Sequence, residues 1–223
     1  MIGKDFWYKT LPVLTIGMII WVVISLLFSG LLGFGVFILN SLAIFIIVVI
    51  LYFVFWIITI ILAFMKKNFI SMLSFFMASL LSGVLSSSLL IWASTIIRLE
   101  LVLGIFFAAF FVGIGVTVGL LILGLFLRER ISEKWLYPLL LFGLLLIIIE
   151  FSLILMFGYN PYILITSIFV LIWFFGIILW DGSRLPNTVE DGYWMLAVLN
   201  IYLDMINVII RIFIIIVKLL ENH

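Results

Sequence analysis

The chain has 223 residues, of which 68% are hydrophobic and 9% charged, with a formal net charge of +1. A soluble domain averages about 45–50% apolar and about 25% charged, so an ordinary soluble fold is excluded and an all-α polytopic membrane protein is expected, with the lipid bilayer as its first partner. So small a net charge gives nucleic acid no electrostatic footprint, and the absence of cysteine excludes disulfides, thiol catalysis and thiolate metal sites.

Seven apolar segments follow one another at 10–31, 38–65, 68–92, 101–127, 135–157, 160–181 and 192–219. Each is long enough to cross a hydrocarbon core of ~30 Å at ~1.5 Å per residue. Lys4 and Lys9 precede the first segment, as in a signal peptide, but further membrane segments follow it, so a retained first helix is expected. The joints run Gly30 to Gly35, Lys66-Lys67, Thr95 to Glu100, Arg128 to Lys134, Gly158 to Pro161 and Gly182 to Asp191. None is long enough to be a linker, so residues 1–223 are expected to form a single seven-helix transmembrane domain.

Positive charge fixes the expected orientation. With the N-terminus cytoplasmic, eight basic residues lie inside: Lys4, Lys9, Lys66, Lys67, Arg128, Arg130, Lys134 and Arg184. At most three, Arg98, Lys218 and Arg211, then lie outside. The N-terminus is therefore expected in the cytoplasm and the C-terminus outside, with a prokaryotic plasma membrane as the expected location.

The third segment carries Ser71, Ser74, Ala78, Ser82 and Ser86 on one face, and the fourth carries Gly104-x-x-x-Ala108 and Gly115-x-x-x-Gly119. Both patterns suit close helix packing through small residues. A hydroxyl-lined path along the third helix is the alternative.

Glu150, Asp204 and Arg211 lie well inside apolar runs, and Asp181 lies at the inner margin of its own. Glu150 falls ~22 Å and Arg211 ~28 Å from the inner end of their segments, so an ion pair between them is one expectation. Such a pair serves as plain structural glue as readily as it serves function. In the last segment Asn200, Asp204, Asn207 and Arg211 follow at intervals of four, three and four, which places them on one side of a helix. A buried carboxylate there needs a partner, and Asp181 is the candidate. Two carboxyls in contact cannot both be ionised cheaply, so the pair shares one proton over some pH range. Protonated, the pair holds two helices together; ionised, it pushes them apart. Asp181 and Asp204 are also candidate metal ligands for a hard cation such as Ca²⁺.

Contact between them has a geometric condition. A hairpin centred on the polar joint turns near Asn187 and leaves Asp204 about eleven residues, ~16 Å, deeper than Asp181. The sequence therefore predicts that helix six breaks near Asp181-Gly182, with Gly182 and Pro186 permitting a partly extended return. The plain alternative is that Asp181 is a solvated helix-end residue.

These residues carry a resemblance. Trp180-Asp181, the loop with Glu190-Asp191, and Ile201-Tyr-Leu-Asp204-Met-Ile-Asn207 resemble the C-terminal signature of the Bax inhibitor family, the transmembrane Bax inhibitor motif proteins, and its bacterial YetJ-type members in particular. Ile60 to Lys67, Phe75-Phe76 and Ser82-Gly83 extend the resemblance backward. It implies seven helices with a central one wrapped by the others, and a pH-sensitive calcium leak gated by an aspartate pair. By carry-over, Asp181 and Asp204 are the pH sensor and gate. Lys66, where bacterial relatives have Arg, is expected to latch onto that pair in the closed state, and Arg184 is a further latch residue. Asn200, Asn207 and Arg211 are the supporting polar face.

The expected function is thus a cation leak channel or exchanger that passes calcium or protons. It is expected to be non-enzymatic and without a cofactor, and a monomer is favoured. An intramembrane aspartyl protease also uses a carboxylate pair, although Asp204 here follows Ile-Tyr-Leu and not Gly-x-Gly. A non-conducting regulator that binds other membrane proteins is the third reading. The one histidine, His223, ends the chain and is assigned no role.

Overall fold

A computed structural model describes residues 3–29, 42–128, 131–132, 134, 137–139, 141–143, 145–146 and 162–221. The described residues form helices and short turns, with no strand among them. In lipid every backbone N–H and C=O must find a partner within its own segment. Runs of Ile, Val and Phe, poor helix formers in water, are therefore held helical.

A π-helical turn, Phe6–Thr10, leads into α1, Leu11–Phe28, with Pro12 in the first turn, where its missing N–H costs nothing. Then come α2, Leu42–Phe64, α3, Asn68–Ile96, and α4, Leu99–Phe126. Helix α5 is helical at its described positions between 137 and 146. Helices α6, Ile163–Glu190, and α7, Trp194–Glu221, complete the chain. Among the described residues five helices, Phe6–Phe28, Phe45–Phe64, Asn68–Ile96, Leu99–Phe126 and Ile163–Glu190, are long and apolar enough to cross a membrane. The joints Gly30 to Gly35 and Gly158 to Pro161 lie outside the described residues, as does Glu150 with its expected ion pair.

The chain divides into two compact units, Met1–Arg98 with Pro186–Tyr202, and Leu99–Leu185 with Leu203–His223. In the first, α1 and α2 both pack on α3. The α3 serine face is buried and bonded across these contacts. Ser71 Oγ donates to the Thr59 carbonyl at 3.0 Å, and Thr59 Oγ1 lies 2.9 Å from Ser74 Oγ. Trp21 Nε1, fully buried, donates to Ser86 Oγ at 2.8 Å. Gly83 lets α3 approach the Trp21 carbonyl, where a Cβ would lie 2.8 Å from that oxygen. The packing reading of these serines is the one their bonds support.

In the second unit, α4 buries Val102, Phe106, Ala109, Gly113, Thr117, Leu121 and Gly124, a stripe spaced by threes and fours. Gly113 abuts Ile209 of α7, and Gly124 abuts the backbone of α6 at Leu179 and Gly182. Gly104, Gly115 and Gly119 face outward with nothing within 4 Å of an added Cβ, and Ala108 is exposed. The expected packing through Gly104-x-x-x-Ala108 and Gly115-x-x-x-Gly119 is therefore corrected. Close approach runs through Gly113 and Gly124, because the burial stripe falls on the other side of the helix.

A second correction concerns the end of α6. The helix does not break at Asp181-Gly182; it continues through Pro186 to Glu190. Gly182, Leu185, Pro186 and Val189 are buried at helical spacing, so the stretch read as a polar loop is about the last two and a half turns of an amphipathic helix. Pro186 denies a hydrogen bond to the Gly182 carbonyl, at a cost of about 3 kcal/mol in a helix interior, and burial of this face offsets it.

Candidate proton and cation site

The turn between α6 and α7 decides where the two acids lie. Gly192 adopts φ +84°, with its N–H bonded to the Val189 carbonyl at 3.1 Å and the Tyr193 N–H to the Thr188 carbonyl at 3.0 Å. This is a Schellman closure with glycine in the left-handed position. The hairpin tip is thus at Gly192 and not near Asn187. Asp181 lies nine residues before the end of α6 at Glu190, and Asp204 ten residues after the start of α7 at Trp194. A one-residue mismatch is ~1.5 Å of depth, so the two meet with both helices intact.

The two carboxyls lie side by side, close enough to interact directly. Asp204 is 2% exposed, and among the described residues no donor reaches its Oδ2. Asp181 is half-buried. A bond between two carboxyls requires a proton on one of them, since neither carboxylate can donate. Losing that proton leaves two like charges in contact in a low-dielectric interior, which a cation or helix separation must relieve. The oxygens are of the hard type that Ca²⁺ accepts. Among the described residues no group of three or more His, Asp or Glu side chains gathers at one place, so two carboxyls are the site's acidic inventory.

The supporting face divides. Asn207 Nδ2 donates to the Leu203 carbonyl at 2.8 Å, one turn back on its own helix. Asn200 is exposed, while Asn207 and Arg211 are half-buried. Arg211 Nη1 donates to Ser167 Oγ of α6 at 3.4 Å, a partner the sequence reading missed because Ser167, next to Thr166 in an apolar run, carries no charge to mark it. Arg184 lies one turn beyond Trp180, with its guanidinium 5.5 Å from the indole ring.

Lys66 closes α2 in the left-handed conformation, φ 56°, with Lys67 N–H on the Leu62 carbonyl at 2.9 Å. A non-glycine residue there costs about 1 kcal/mol. Its Nζ donates to the Asp191 carbonyl at 2.8 Å and lies 4.5 Å from the centre of the Tyr193 ring. Lys66 therefore clasps the α6–α7 turn through a backbone carbonyl and an aromatic face, which corrects the expectation that it latches onto the aspartate pair itself. Neither partner carries a sequence signal, since every residue has a carbonyl.

Residues 4–221 match the family model described as Inhibitor of apoptosis-promoting Bax1. No curated protein matches the chain.

Proposed function

The chain belongs to the Bax inhibitor family, and from that premise we propose that this integral membrane protein is a pH-sensitive cation leak, with Ca²⁺ as the favoured ion and Asp181 and Asp204 as its gate. The observation that carries the reading is the direct juxtaposition of the two carboxyls, one of them almost wholly buried. A proton shared between them and a passing cation compete for the same oxygens. Acid therefore favours the protonated, closed contact, and rising pH exposes a charged pair that attracts a cation and loosens the helices. Lys66, holding the turn that joins α6 to α7, serves as the latch. The protein itself acts without a cofactor and without enzymatic chemistry. Seven spans with the N-terminus cytoplasmic, in a prokaryotic plasma membrane, complete the proposal.

Flux of Ca²⁺ into liposomes holding the purified chain tests it. Passage that falls as the pH is lowered, with the pH response flattened in Asp204→Asn, is the expected result. Asn keeps the size and hydrogen-bonding capacity of Asp but cannot titrate. No passage at any pH would overturn the leak. Cleavage of a membrane peptide under the same conditions would then favour an aspartyl protease, and neither activity a regulator that binds other membrane proteins.

A further inference from the structure

We propose that Gly124 of α4 and Gly182 of α6 are positioning residues for the Asp181–Asp204 pair, which by lacking a side chain set where the Asp181 carboxyl stands. Gly182 follows Asp181 directly and lies against the backbone of Leu121. An added Cβ there would stand 2.5 Å from the Leu121 carbonyl oxygen and 2.9 Å from its Cα. From the α4 side, a Cβ on Gly124 would strike the Leu179 carbonyl oxygen and lie 3.1 Å from both Gly182 Cα and Ser183 N. The two helices therefore touch backbone to backbone within a turn of Asp181. The same helix also meets α7, where a Cβ on Gly113 would lie 3.2 Å from Ile209 Cα, and the rings of Phe106 and Phe213 continue that seam at 6.1 Å. Ile209 is five residues, ~7.5 Å along the axis, beyond Asp204. One helix that carries neither acid thus bears on both helices that do.

Magnitudes decide that this contact matters to the pair. Ordinary contact begins near 3.4 Å, so a Cβ at either glycine asks the α4 and α6 backbones to part by roughly 1 Å. A side chain could rotate out of the way, but backbone cannot. An O–H···O bond holds over about 2.5–3.0 Å, a tolerance only about half that displacement. Asp181 leaves the α6 axis about 100° round from Gly182, so its side chain clears the contact and moves as the helix moves. The absence of two side chains therefore determines whether Asp181 reaches Asp204, and not only how tightly two helices pack. This inference rests on the reading of the pair as the gate, and it adds that the spacing of the gate is set from α4.

Infrared spectra of the purified full chain test it. The C=O stretch of a protonated carboxyl rises in frequency as its hydrogen bond weakens, and Asp204→Asn identifies the band of the pair by removing it. Gly124→Ala is expected to shift that band to higher frequency. Gly113→Ala, which asks the Ile209 backbone to yield by only a few tenths of an ångström, is expected to shift it less, and the outward-facing Gly115→Ala not at all. Ser86→Ala, which weakens the other unit at Trp21, should also leave it in place. An unmoved band in Gly124→Ala, an equal shift in Gly115→Ala or Ser86→Ala, or no such band in the wild type would overturn the proposal. Should Gly124→Ala fail to fold, Gly113→Ala against Gly115→Ala decides. The band is read without ion flux. Graded shifts in a chain that passes no Ca²⁺ would sink the leak and leave this inference standing, whereas pH-dependent flux with an unmoved band would sink this inference alone.

Discussion

Gly113 and Gly124 on one side of α4, and Gly104, Gly115 and Gly119 on the other, are chemically identical and sit in the same 28-residue helix. On the buried side a Cβ would strike backbone and side chain of α6 and α7, whereas on the outward side it would meet open space. The difference shows that glycine in a membrane helix has no fixed meaning. Its effect depends on whether another backbone lies within van der Waals reach.

The sharpest way to break this comparison is to make the same change on both sides. Gly182→Ala, at the α6 contact with α4, places a Cβ 2.5 Å from the Leu121 carbonyl oxygen and 2.9 Å from its Cα. Backbone cannot rotate away as a side chain can. Alanine gains up to about 1 kcal/mol in helix propensity, but overpacking costs about 1–3 kcal/mol and more where nothing yields. A clear fall in the thermal midpoint in detergent is expected, and a larger one for Gly182→Val. A rise would show that the helices are not in contact there.

The next effect belongs to the unit held by hydroxyls. Ser86→Ala strands the fully buried Trp21 Nε1, a loss of about 1–3 kcal/mol. Thermal unfolding should register it, and an unchanged midpoint would place another acceptor at that indole.

Lys66 gives a smaller and divided response. Lys66→Met removes the bond to the Asp191 carbonyl and the cation over Tyr193, together about 1 kcal/mol at an exposed position. Lys66→Gly removes the same contacts but relieves the left-handed strain, so its midpoint should stay near that of the wild type. If both variants fell equally, the strain would be absent. Smallest is Gly115→Ala, facing outward, which should leave the midpoint unchanged or raise it by the propensity gain of at most about 1 kcal/mol. A fall for Gly182→Ala, which meets the buried face of α4, and none for Gly115→Ala on its outward face is the outcome that the comparison requires.

The helices were largely legible in the sequence because long apolar runs can meet lipid in one way, as helix. The expected segments 68–92 and 101–127 correspond to Asn68–Ile96 and Leu99–Phe126, with ends shifted by a few residues. Asp181 and Asp204 were legible as a pair through their rarity in apolar surroundings. Their route to contact was not. Gly182 and Pro186 read locally as helix breakers, and what keeps them helical is a buried face whose partners lie far along the chain. The same blindness misplaced the hairpin tip by about one helical turn and so invented a depth gap that does not exist.

By itself the sequence determined that the described chain is helical and apolar, and that two acids lie where lipid alone would not tolerate them. Hydropathy and charge are properties of each residue and survive without coordinates. Tertiary structure decided which glycines pack, where the last hairpin turns, and that Lys66 holds a carbonyl on that turn. Each of these depends on the distance between atoms remote in sequence, and no local pattern encodes it.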